Sequence, residues 1–132
     1  MADPDDRLLM LIDDEPAQCR LISALAARDG WRTIVVRDAE TAIATLGTRQ
    51  GMQLSAIILD HWVPGDDACA LIAELKSRRP ALPLLMLTTS ASPLLAVEAM
   101  RAGATDYLVK PVSPDRLMQA LRVATTRGAA RH

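Results

Sequence analysis

Short apolar runs alternate with helix-length amphipathic segments five times along this chain of 132 residues, and few architectures accommodate that rhythm. The runs fall at 8–12, 32–36, 54–59, 82–87 and 106–109. The first, third and fourth are nearly continuous in aliphatic residues, as strands covered on both faces require. The second and fifth are shorter and flanked by charge, which suits the edges of a sheet. Between them the sequence predicts helices over 16–28, 39–48, 66–78, 92–101 and 114–126. In the last of these, Leu117, Ala120, Leu121 and Ala124 form an apolar stripe at helical spacing, and Leu71, Ile72 and Leu75 do the same in the third. Ser92-Pro93 and Ser113-Pro114 each place a capping hydroxyl before a proline suited to the first helical turn. Asp29-Gly30 and Ala102-Gly103 mark helix ends.

Strict alternation of strand and helix implies parallel strands joined by right-handed crossovers. Five such units predict an α/β fold, a doubly wound (βα)5 sheet of flavodoxin-like type with strand order 2-1-3-4-5. Residues 1–126 are expected to form one domain, with 127–132 a polar tail or the start of a linker. Half the residues are apolar, and the only aromatics are Trp31, Trp62 and Tyr107, so the core must be aliphatic. A net charge of -1 gives no electrostatic reason for nucleic-acid or membrane binding. Cys19 and Cys69 are expected to be free thiols. The amino terminus MADPDDR is the reverse of a signal peptide, and no apolar run is long enough to span a bilayer. A cytoplasmic location is the expectation.

Polar residues collect where the predicted strands end. The first strand ends at Asp13 and Asp14, the third at Asp60, the fourth at Thr88 and Thr89, and the fifth at Lys110, before Pro111. Ligands of open α/β sheets bind at the carboxyl edge, where strand order reverses. The acids at 13, 14 and 60 are therefore expected to converge, flanked by a hydroxyl and an ammonium. Carboxylates crowded together need a positive partner. A set of oxygen donors with no convergent His or Cys suits Mg²⁺, or Mn²⁺, rather than zinc. Lys110 and Thr88 supply donors for an anion such as a phosphoryl group, and a carboxylate can accept phosphoryl as a nucleophile.

The stretches LMLIDDEP, AIILDHWVPGDD, LLMLTTS and GATDYLVKP, in this order, resemble the receiver domain of two-component response regulators over nearly the whole chain. The resemblance implies that Asp60 is the phosphoacceptor. Asp14 and Asp60 would bind Mg²⁺ directly with the main-chain carbonyl of Trp62, and Asp13 would act through a metal-bound water. Lys110 would pair with phosphoryl oxygens. Thr88 and Tyr107 would form the switch that repacks the face of the fourth helix, fifth strand and fifth helix. Implied partners are a sensor histidine kinase or phosphotransfer protein and an output domain or partner protein. A phosphorylation-dependent homodimer is a further implied state. The chain is most similar to receivers that precede transcriptional effector domains, with a stand-alone receiver as the alternative.

Some positions depart from the family pattern. Ala68 stands where glycine is frequent, and Val63 replaces a frequent methionine. Thr89 and Trp62 are larger than usual and are expected to slow loss of the phosphoryl group. Plain roles are expected elsewhere: Glu15 as a helix cap, His61 pointing away from Asp60, the cysteines as core residues, and Arg116, Arg122 and Arg127 on a solvated face. Two other functions fit less well. A phosphohydrolase with an aspartate nucleophile generally needs a second acid two residues on, where Trp62 stands. A receiver-like interaction module that never carries phosphate would not need the full set of acids, Thr88 and Lys110.

Overall fold

The computed structural model describes residues 7–60, 68–89 and 91–130, the stretch 127–130 by its backbone alone. Five strands, β1 (Arg7–Ile12), β2 (Trp31–Val36), β3 (Leu54–Asp60), β4 (Leu84–Thr88) and β5 (Asp106–Val109), alternate with five helices. These are α1 (Pro16–Arg28), α2 (Ala39–Leu46), α3 (Ala68–Arg78), α4 (Pro93–Ala102) and α5 (Pro114–Ala130). The strands form one parallel sheet in the order β2-β1-β3-β4-β5. The expected topology is therefore observed, with the two charge-flanked strands at the edges.

The pleat divides the aliphatic residues between two cores. Leu8, Met10 and Ile12 of β1 join Ile57, Leu59, Leu84 and Met86 beneath α2, α3 and α4. Leu9 and Leu11 join Ala56, Ile58, Leu85, Leu87 and Leu108 beneath α1 and α5. Continuous apolar runs are thus needed because alternate residues of the same strand enter opposite cores. Cys19 packs in the α1–α5 core and Cys69 against the other, so the sheet separates the two cysteines and they form no disulfide.

Local signals account for the helix ends. Glu15 caps α1 by accepting the Ala17 N–H at 3.0 Å, and Asp38 caps α2 by accepting the Thr41 N–H at 2.7 Å. Ser92 and Ser113 cap α4 and α5 through their hydroxyls, as the Ser-Pro pairs predict. Gly103 ends α4 with φ 124, a backbone region open chiefly to glycine. Several boundaries differ from the sequence expectation, most by a single residue. The β4 strand begins at Leu84 rather than 82: Leu82 is buried ahead of the ladder, and Pro83 has no N–H to contribute, although its carbonyl accepts the Ile57 N–H at 2.9 Å. The α2 helix stops at Leu46 because Gly47 caps it, α4 continues through Ala102, and α5 continues to Ala130, through part of the stretch expected to be a tail. The start of α3 expected at 66 lies outside the described residues.

Ile58 lies fully buried at the centre of the sheet, whereas Val35 on edge strand β2 is 39 % exposed. Truncating a buried aliphatic to alanine costs about 2–5 kcal/mol. Ile58→Ala is expected to lose stability in that range in urea unfolding, and Val35→Ala less than about 1 kcal/mol. Equal losses would contradict the strand order.

Candidate functional site

The two-residue period that builds the α1–α5 core also builds the site. Continuing Leu9 and Leu11 leads to Asp13, continuing Ala56 and Ile58 leads to Asp60, and continuing Leu108 leads to Lys110. The ladder holds these positions beyond the strand ends, since the Asp13 N–H donates to the Val36 carbonyl at 2.9 Å and the Lys110 N–H to the Thr88 carbonyl at 2.7 Å. A cis peptide precedes Pro111. Asp13 and Asp60, with exposures of 0 % and 1 %, are buried charged groups at the carboxyl edge.

The Lys110 ammonium lies 2.7 Å from Asp60 Oδ2. The carboxamide of Gln18, in the first turn of α1, donates to that same oxygen at 2.5 Å. Asp13 Oδ1 accepts the Glu15 N–H at 3.0 Å, while its Oδ2 is buried with no hydrogen-bond partner among the described residues. Burial pushes the Asp13 carboxyl up to about 6, against the pull of the Glu15 N–H; the Asp60 charge raises it further and Lys110 lowers it. One ammonium thus serves two buried carboxylates.

An orphaned buried oxygen beside a second carboxylate fits a small hard cation. Asp13 and Asp60 are the acids brought together. Asp14, by contrast, is exposed at the rim. Among the described residues no three acidic, His or Cys side chains are grouped closely enough to hold a metal by themselves. A two-carboxylate site matches the habit of Mg²⁺, which keeps several waters and shares its shell with phosphate oxygens. The expected Trp62 carbonyl ligand, together with His61 and Val63, lies outside the described residues.

Thr88 is fully buried at the end of β4. Tyr107 pairs in register with Met86 and packs, half-buried, against the α2–α4 core. Thr88 is two residues past Met86, so Thr88 and Tyr107 belong to the same face of adjacent strands. Thr89 is exposed and lines a cavity with Gln18 and Lys110. Arg116 and Arg122 are exposed on α5 and make loose ion pairs with Asp106 and Asp29 at 3.8 and 3.5 Å. Sequence reasoning missed Gln18, because a lone glutamine in a first helical turn carries no pattern.

Comparisons with known proteins identify the family and the fold. Residues 9–122 match the family model described as the response regulator receiver domain. The chain belongs to that family. The transcriptional regulatory protein ZraR of Salmonella typhimurium is 31 % identical over 116 residues, covering 88 % of this chain and 26 % of that protein. The transcriptional regulatory protein TcrA of Mycobacterium tuberculosis is 31 % identical over 120 residues, covering 91 % and 46 %. The chain therefore spans between a quarter and a half of the length of these relatives. A receiver domain protein of Methanospirillum hungatei has the same fold, with a TM-score of 0.87 at 20 % identity and coverage of 96 % and 98 %. NtrX of Brucella abortus superposes with a TM-score of 0.84 at 29 % identity, covering 94 % of this chain and 28 % of that one. No helix among the described residues is long and apolar enough to cross a membrane.

Because its folded-state carboxyl lies above the ordinary value, Asp13 binds its proton more tightly in the folded chain than in the unfolded one. Its contribution to stability therefore falls as pH rises from about 4 to about 6. In EDTA at pH 7.5, Asp13→Asn is expected to melt several degrees above the parent, at about 4 °C per kcal/mol. The gap should close as pH falls toward 4. A variant that melts lower than the parent across this range would contradict the crowding of Asp13 and Asp60.

Proposed function

We propose that this receiver domain takes a phosphoryl group onto Asp60 from a histidine kinase or phosphotransfer protein, with Mg²⁺ (or Mn²⁺) bound at the acids, and so controls an output. The observation that carries this reading is the buried Asp60 carboxylate with Asp13 beside it and the Lys110 ammonium 2.7 Å from its Oδ2. In the transfer, an oxygen of Asp60 forms a bond to phosphorus while the donor's bond to phosphorus breaks, and the donor leaves with the electron pair. In the loss, water attacks phosphorus and the Asp60 carboxylate leaves, giving inorganic phosphate. The domain acts on its own side chain and turns over no external substrate.

Asp13 and Asp60 would hold the cation, with Asp14 turning in from the rim and the Trp62 carbonyl completing the set. The bound cation supplies charge neutralisation for the phosphoryl oxygens. Lys110 orients the same oxygens and offsets their charge. Thr88 and Tyr107 share a sheet face next to α4, so a phosphoryl group that draws the Thr88 hydroxyl shifts the packing available to Tyr107. This is a population shift between two packings, and the loaded state favours one of them by differential contacts. Leu94, Val97 and Met100 of α4 and Val109 of β5 are exposed, with Leu94 at 68 %, and offer an apolar output face. That face would meet an output domain, a partner protein or a second loaded copy. The relatives' names point to control of transcription as the output, exercised through a segment other than this domain.

Incubation with acetyl phosphate and Mg²⁺ is expected to add the mass of one phosphoryl group to the intact protein. Asp60→Asn and EDTA each abolish the addition, and Lys110→Ala slows it roughly a hundredfold, the scale of losing one preorganised donor. An unmodified parent in excess Mg²⁺ refutes the reading. Steady turnover of a phosphomonoester would instead favour the phosphohydrolase.

A further inference from the structure

Gln18 touches Asp60 directly, yet the proposed chemistry leaves it unused. It enters from α1, and its Nε2 meets Asp60 Oδ2 at 2.5 Å while Lys110 Nζ meets the same atom at 2.7 Å. A carboxylate oxygen has two in-plane lone-pair positions, and Gln18 and Lys110 both donate to this one. Behind Gln18 lies a cavity of about 490 Å³ between α1 and α5, walled by Leu21, Leu25, Val112 and Leu117 and reached also by Lys110. Gln18 therefore touches both the candidate phosphoacceptor and the cavity.

We infer that Gln18 is a restraint on the phosphoacceptor: its carboxamide stabilises the unphosphorylated Asp60 carboxylate and must let go, toward the α1–α5 cavity, for the phosphoryl group to be accepted. This rests on the reading of Asp60 as the phosphoryl site. If Oδ2 attacks phosphorus, one of its two donors has to leave the lone pair that forms the bond. If the other oxygen attacks, Oδ2 becomes the carbonyl oxygen of a mixed anhydride and loses most of its charge. In both cases a charge-assisted hydrogen bond becomes a weaker one or none. Lys110, a full cation, regains that loss from the phosphoryl oxygens. Gln18 is neutral and has room to retreat. It thereby raises the donor concentration needed to load the domain and sets the threshold of the switch.

The test titrates loading of Asp60 by acetyl phosphate at fixed saturating Mg²⁺ in the parent, Gln18→Leu and Gln18→Asn. Leucine keeps the cavity wall without a donor, and asparagine is one methylene too short to keep the contact. Both variants are expected to reach half-loading at about three- to tenfold lower acetyl phosphate, the scale of weakening one charge-assisted bond, with Mg²⁺ affinity within twofold of the parent. Half-loading at equal or higher concentration in both variants overturns the restraint and leaves Gln18 either idle or serving the phosphoryl group. A readout without phosphodonor separates this inference from the function it rests on. In the metal-free parent, the Gln18 carboxamide protons should exchange slowly by NMR and become fast in Asp60→Ala. Fast exchange in the parent overturns the restraint, whereas slow exchange in a parent that never loads upholds the contact and refutes only the phosphoacceptor reading.

Discussion

Two carboxylates, Asp13 and Asp60, are buried side by side with the Lys110 ammonium 2.7 Å from Asp60, and everything else in the domain is arranged around that cost. Burial and mutual repulsion both work against their ionised forms, and the Asp13 carboxyl is pushed up to about 6 in consequence. A structure keeps such a pair only if the surrounding sheet is stable enough to hold it and if something positive arrives to use it. The aliphatic cores on the two sheet faces supply the first condition. The divalent cation and the phosphoryl group proposed for the site, each attractive to part of it, would meet the second.

The site grows out of the core by the simplest rule of a strand. Residues two apart share a face, so the column that fills the α1–α5 core delivers Asp13, Asp60 and Lys110 to one side of the carboxyl edge. The alternate column carries Met86 on to Thr88 and sets Tyr107 beside it, toward α4. One sheet face thus carries the acids and Lys110, and the other carries Thr88 and Tyr107. The two sets are adjacent, because the main chains of Lys110 and Thr88 are joined directly by the ladder hydrogen bond at 2.7 Å.

Most of this was legible because it follows from periodicity. Continuous apolar runs announce two-sided burial, their alternation with helices dictates parallel strands, and acids at successive strand ends must converge once the order is 2-1-3-4-5. The two Ser-Pro caps and the glycine stops worked for equally local reasons. Other features depend on side-chain directions that no one-dimensional pattern carries. Asp13 and Asp14 are adjacent and identical in kind, yet one is sealed in the site and the other exposed, because successive residues turn to different environments. Gln18 gained its role only when α1 packed against the sheet and brought its amide within 2.5 Å of an oxygen 42 positions away. Pro83 shortened β4 by removing a donor, a detail masked in the sequence by the burial of Leu82.

The central claim is that the buried acid pair is a binding site for a divalent cation and not a structural accident. Calorimetric titration of the metal-free domain with Mg²⁺ at pH 7.5 and pH 5 tests it most directly. Protonation of Asp13 near 6 predicts binding about tenfold weaker at the lower pH, with a proton released on binding there. Mg²⁺ heats that are absent at pH 7.5, or an affinity identical at both values, would contradict it.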